Sequence, residues 1–297
     1  MTGITILDGG MGQELVSRTE NPNTQLWATQ VMIDAPHLVR EIHDEYFVAG
    51  AEIATANTYA IHHDRLVRFG IDDQFAELHL LACRMAREAC EAHGSGRVAG
   101  SFGPLDRTYV GDAGPPREKA AALYAEIARL QAPHVDLFLA ESVPSVARAR
   151  ATIDGLEGHD RPVWLAITVD DTDGGKLRSG EPVEAMLDEI RGRGVEALLI
   201  NCSFPEAVTQ ALTALQGADL SLGGYANGFT EIAQPYFVPG ATTDVLEARR
   251  DLTPAVYADF AEDWVRLGAT IVGGCCEVGP AHIAELSRRL KSGQNPG

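Results

Sequence analysis

Short apolar runs and amphipathic stretches alternate along the whole chain. The apolar runs fall at 4–8 (ITILD), 51–57 (AEIATAN), 97–102 (RVAGSF), 135–141 (VDLFLAE), 162–169 (PVWLAITV), 196–202 (EALLINC), 220–227 (LSLGGYAN) and 269–275 (ATIVGGC). They are mostly apolar on both faces, which predicts buried strands of a parallel sheet. Helical periodicity fills 36–50, 75–94, 117–132, 144–156, 182–194, 205–217, 254–268 and 280–290. Most of these stretches open on Pro, which suits a first helical turn where its missing N–H is not needed.

Eight strand–helix units in one uninterrupted series predict an α/β fold, the (β/α)8 or TIM barrel. A doubly wound open sheet is the alternative, and the regular count and chain length favour the barrel. No shift in composition marks a linker, so 1–297 reads as a single domain. The connections after strands, at 9–35, 58–72, 103–116, 170–181 and 228–253, are much longer than those before them. In barrels the strand-following loops build the active face.

Composition narrows the partners. The 297 residues carry a formal net charge of −18, with a pI near 4.8. That balance argues against nucleic acid, whose phosphates need basic patches, and weakly against anionic membranes. No run approaches the ~20 apolar residues of a membrane span. The opening MTGITILDGG lacks a basic region and a long apolar core, so no signal peptide is expected and a cytoplasmic location is the default.

Five cysteines do not form a disulfide framework, and clustered thiols in a reducing compartment point to metal ligation or reactivity. Cys83 and Cys90 lie seven residues apart in one helical stretch and read as core packing. Cys202 ends the sixth strand in LLINCSFPE, and Cys275 and Cys276 end the eighth. In a closed barrel two lateral spacings of ~4.8 Å separate those ends, and Gly273 and Gly274 let the backbone aim both thiols inward. Three thiolates with one open position suit Zn²⁺. Spacing alone leaves a second reading, three buried cysteines acting as small hydrophobes. Asp8, Asn57, Glu141 and Asn227 stand at other strand ends and predict a polar pocket. Local turns and backbone hydrogen bonds are their ordinary alternative.

The stretches ILDGGMGQEL (6–15), LWATQVMIDAPHLVREIHDEYFVAGAEIATANTY (26–59), ESVPS (141–145), INCS (200–203) and IVGGCC (271–276) resemble the homocysteine S-methyltransferase family, in the same order and from residue 6 to about 290. The resemblance implies a zinc-dependent barrel that methylates a thiol. It implies Cys202, Cys275 and Cys276 as zinc ligands, and Asp8 and Glu141 as carboxylates for the homocysteine ammonium. It further implies that the backbone of Gly9 and Gly10 receives the substrate carboxylate, and that the Asn227 side chain approaches zinc when substrate is absent. The chain departs from many relatives after the seventh strand, where YANGFTE (225–231) replaces a Pro-Asn-Ser-Gly-Glu-like stretch. The loop to residue 253 matches no donor-specific pattern, so the donor stays open among S-methylmethionine, S-adenosylmethionine and betaine.

Such a donor carries a sulfonium or quaternary ammonium centre, and aromatic faces suit such cations. Trp27, Tyr59, Tyr225, Tyr236 and Phe237 are candidates, with ordinary packing as their alternative. His62 and His63 follow the second strand and read as solvated loop residues. Three rival functions remain. One is the same chemistry on another small thiol or selenol. Another is a non-catalytic zinc or redox-sensing barrel. The third is a nucleotide-binding oxidoreductase, which GGMGQEL (9–15) supports poorly: it lacks the third glycine of the phosphate-binding turn, and no helix clearly opens on it.

Overall fold

The computed structural model describes residues 3–20, 26–105, 109, 114–232 and 246–291. Eight parallel strands run in the order of the chain: β1 Thr5–Ile6, β2 Ile53–Thr55, β3 Arg97–Phe102, β4 Leu137–Val143, β5 Val163–Ile167, β6 Val195–Asn201, β7 Ser221–Tyr225 and β8 Ala269–Val272. From β2 to β8 each strand pairs with the next in sequence, and β8 pairs with β1. The ring closes where Leu7 bridges Ile53, with Asp8 N–H donating to Ile53 O at 3.1 Å and Glu52 N–H to Ile6 O at 2.7 Å. The fold is the expected (β/α)8 barrel.

Side-chain alternation along each strand sorts the core into two. Leu7, Ile53, Ala99, Leu137, Leu139, Trp164, Ala166, Ala197, Leu199, Tyr225 and Ile271 pack together inside the ring. The alternate positions pack against the helices, Cys83 and Cys90 among that outer core. The period of two also places function: Leu137 and Leu139 point inward, so Glu141 continues the same face at the strand's C-terminal end. Ser101 follows Ala99 on β3 in the same way. The interior therefore turns from apolar to polar as it approaches the mouth.

Two expectations about helices need correction. The stretch 182–194 forms a helix only over Ala185–Ile190, because Gly192 and Gly194 both take left-handed backbone (φ 72°) and stop it. The segment after β1 is not a bare loop but holds helices Met11–Arg18 and Ala28–Asp34. A helix does open directly on Gly9–Gly10, contrary to the sequence reading. Its apolar face is short, with Met11, Gly12 and Leu15 buried, so its period was too weak to read.

Candidate active site

Two strand ends bring three sulfurs together: Cys202 follows β6, and Cys275 and Cys276 follow β8. The Sγ atoms of Cys202, Cys275 and Cys276 all lie within 4.8 Å of one another. Cys202 is buried and the other two are half-buried. Backbone contacts fix the pair after β8: Cys275 N–H donates to Ala226 O at 3.0 Å, and Gly274 N–H to Asp8 O at 3.0 Å. Gly10 lies hard against this turn. A Cβ there would sit 2.6 Å from Cys275 O and 3.1 Å from Cys276 Cα. Cys202 itself has φ 49°, a left-handed conformation that turns its side chain out of the strand's alternation.

The donor set fits a thiophilic ion. Tetrahedral M–S bonds of ~2.3 Å put the sulfurs about 3.8 Å apart, which small rotamer changes reach from here. Without an ion, hydrogen bonds from Cys275 and then Cys276 hold the Cys202 thiol well below its ordinary value. The same contact with Cys202 pushes Cys275 and Cys276 up. A second sign is an unpaired donor: the buried Asn227 Nδ2 has no hydrogen-bond partner among the described residues. Its Oδ1 accepts from Phe229 N–H at 3.3 Å, and its own N–H is tied to Ser203 O at 3.1 Å.

Two carboxylates share the mouth. Asp8 accepts from Thr55 N–H at 2.6 Å and from Thr55 Oγ1 at 2.7 Å. Glu141 accepts from Ser101 Oγ at 2.5 Å and from Tyr225 OH at 3.1 Å. Burial pushes both carboxyls up to about 7, against the pull of these donors. Repulsion from Asp8 adds to the rise at Glu141. No described cation pairs with either one, so each is poised for a cation that arrives from solution. Gly10 N–H already donates to Val278 O at 3.0 Å. Met11 N–H likewise donates to Gly9 O at 2.9 Å, so the backbone donors for a carboxylate are Gly9 N–H and, in the first turn of Met11–Arg18, Gly12 N–H.

The other expected residues are more scattered. Asn57 Nδ2 donates to Ala28 O at 3.3 Å, which ties the end of β2 to the Trp27 segment. Trp27 has φ 48° and its ring covers Gly12. Tyr59 packs its ring over Gly103 at the end of β3. Tyr225 is buried with its hydroxyl on Glu141, so its role is to hold a carboxylate rather than to face a cation. Tyr236 and Phe237 lie outside the described residues. Of the two histidines after β2, only His62 leaves solvent; the His63 side chain stays 32% exposed but is paired. His62 is buried, and His63 bridges Asp72 at 2.6 Å and Glu126 at 3.3 Å.

Several site residues escaped the sequence reading: Thr55, Ser101, Tyr109, Ser142, Asn201 and the Asp171–Arg178 pair. Their one visible signal is a polar side chain in or beside an apolar strand, as in INCS and ESVPS.

The sequence pattern of the homocysteine S-methyltransferase family matches residues 5–290. The chain belongs to that family. The homocysteine S-methyltransferase of Escherichia coli K12 is 30% identical, over 96% of this chain and 95% of its own. The selenocysteine methyltransferase of Astragalus bisulcatus is 26% identical, over 98% and 94%. The metallated crystal form of the Escherichia coli homocysteine methyltransferase MmuM superposes with a TM-score of 0.81 at 29% identity, covering 97% of this chain and 96% of that one. Membership makes this chain a methyltransferase and sets aside the nucleotide-binding oxidoreductase. Among the described residues no helix is long and apolar enough to cross a membrane.

Proposed function

We propose that this chain, as one barrel domain, is a zinc-dependent enzyme that moves a methyl group from a small onium donor to homocysteine, giving methionine. The observation that carries the proposal is the meeting of three cysteine sulfurs within 4.8 Å at the same mouth as two uncompensated carboxylates.

A free thiol titrates near 8.5, so only a few per cent is nucleophilic at neutral pH. Cys202, Cys275 and Cys276 would hold Zn²⁺, which would supply the Lewis acidity to keep the acceptor sulfur deprotonated. The chain's own residues do the rest. Asp8 and Glu141 take the acceptor's ammonium, and its carboxylate meets Gly9 N–H and the Met11–Arg18 helix start, whose dipole favours an anion. Gly10 contributes shape, by admitting the Cys275–Cys276 turn. The free Nδ2 of Asn227 faces an incoming polar atom, and Asn57 holds the Trp27 segment in place. Trp27 and Tyr59 offer ring faces to the donor's positive centre. Methyl then passes in line: the new C–S bond forms as the donor's bond to its onium centre breaks, and that centre leaves neutral. Orientation of the two substrates supplies up to ~7–11 kcal/mol in favourable cases. Thiolate chemistry of this kind suits the reducing cytoplasm.

The donor is assigned by incubating purified protein and homocysteine with S-methylmethionine, S-adenosylmethionine, betaine or methyltetrahydrofolate in separate reactions. Methionine formed with one of the first three supports the reading, and none with any of the four overturns it. A selenol acceptor is the second reading, favoured by the similarity to the Astragalus selenocysteine methyltransferase. Competition between homocysteine and selenocysteine for one donor separates the two.

A further inference from the structure

Three ligand thiolates beside a methylating donor pose a chemical problem. Each is itself a nucleophile, and a methylated ligand is a neutral thioether that binds metal poorly. The structure treats one of the three differently. The hydroxyl of Tyr109, from the segment after β3, lies 3.1 Å from Cys202 Sγ. The phenol ring is capped by Arg178, whose guanidinium carbon stands 5.0 Å from the ring centroid. Arg178 is pinned by Asp171 at 2.8 Å, and both side chains are nearly buried. Asp171 in turn accepts from Phe204 N–H at 2.9 Å, two residues beyond Cys202. The segments after β3, β5 and β6 therefore converge on a single sulfur.

We propose that Tyr109 is a positioning residue that donates its hydroxyl to the Cys202 sulfur and makes that ligand the poorer nucleophile, so that methyl goes to the substrate thiolate. This rests on the metal-site reading above. A thiolate has only acceptor capacity, so the phenol must be the donor once Cys202 is ionised. A hydrogen bond to sulfur draws charge from it, and thiolate nucleophilicity falls with basicity. The cation over the ring strengthens the phenol as a donor. Outer contacts of this kind tune metal ligands elsewhere.

The test uses full-length protein loaded with one metal ion, without homocysteine, and methyl iodide as the probe. At each cysteine a C–S bond forms from the sulfur lone pair as the C–I bond breaks and iodide leaves. Initial rates at Cys202, Cys275 and Cys276 are read by peptide mass spectrometry. Tyr109→Phe should raise the rate at Cys202 several-fold and leave the other two unchanged. In Co²⁺-loaded protein it should also move the sulfur-to-metal charge-transfer band to lower energy. Site-specific 3-fluorotyrosine at 109 keeps the shape with a stronger donor, and should slow Cys202. It decides the matter alone if Tyr109→Phe does not fold. Equal Cys202 rates in wild type and the variants would overturn the proposal. Metal content and methionine formation in the wild type report separately on the underlying reading.

Discussion

The Asn201 side chain holds Ser142 by both ends of its amide: Oδ1 accepts from Ser142 N–H at 2.9 Å, and Nδ2 donates to Ser142 Oγ at 3.1 Å. These bonds cross over β5. They tie the residue before Cys202 to the residue after Glu141, and so join the thiol cluster to the carboxylate cluster. Ser142 has φ 56° and Cys202 φ 49°, and β4 breaks register between Ala140 and Val143. Each such left-handed residue costs about 1–3 kcal/mol, which the amide bonds help offset.

Replacing Asn201 with Ala therefore acts on both clusters. It leaves the buried Ser142 N–H without a partner, at a cost of roughly 1–3 kcal/mol. Urea unfolding should show that loss, together with weaker metal binding and a higher KM for the acceptor. Unchanged metal affinity would show that Asn201 does not link the two clusters.

Glu141→Gln tests the ammonium role. A hydrogen bond to a charged group contributes roughly 1.5–3 kcal/mol, which is about tenfold to a hundredfold in affinity. The acceptor KM should rise by that factor while metal content stays at the wild-type level. Tyr225→Phe, which frees one oxygen of Glu141, should raise KM less. An acceptor KM unmoved by Glu141→Gln would refute the assignment.

The acceptor KM should also depend on pH. Asp8 and Glu141 both titrate near 7 because burial disfavours their charged forms. As pH falls below 7 they gain protons and lose their hold on the ammonium, so KM should climb between pH 7 and 6. Stability runs the other way. A carboxyl whose pKa is raised by folding favours the folded state most below its unfolded value near 4, and that contribution is lost as pH rises to about 7. Metal-free protein should accordingly lose melting temperature from this pair over that window, and Asp8→Asn should lessen the loss. A flat KM from pH 6 to 7.5 would contradict the assignment.

Gly10→Ala tests the turn that carries two of the sulfurs. The added methyl meets Cys275 O and the Cys276 Cα, both backbone atoms that cannot rotate away. Overpacking of this kind costs about 1–3 kcal/mol. Competition with a chromophoric chelator should show weaker metal binding, and unaltered binding would show that the turn gives way freely.

The barrel was legible because each of the eight apolar runs holds a strand, though only β3, β4 and β6 reach the expected length, and seven of the eight helical stretches form helices close to their expected bounds; the three thiols were legible because they follow the sixth and eighth strands. What the pattern hid was which polar side chains meet. Thr55 on Asp8, Ser101 and Tyr225 on Glu141, and Asn201 on Ser142 are contacts between strands, and periodicity along one strand does not report its neighbour's register. The Met11–Arg18 helix was missed because glycine occupies part of its buried face. The pairing of His63 was hidden because its partners, Asp72 and Glu126, are nine and sixty-three residues away.

If one thiophilic ion sits on Cys202, Cys275 and Cys276, methyl transfer to homocysteine should require it. Elemental analysis and methionine formation, measured together on wild type and on Cys275→Ala, decide this. Wild type should carry about one zinc per chain and form methionine, and Cys275→Ala should do neither. Full methyl transfer by the variant without bound metal would contradict it.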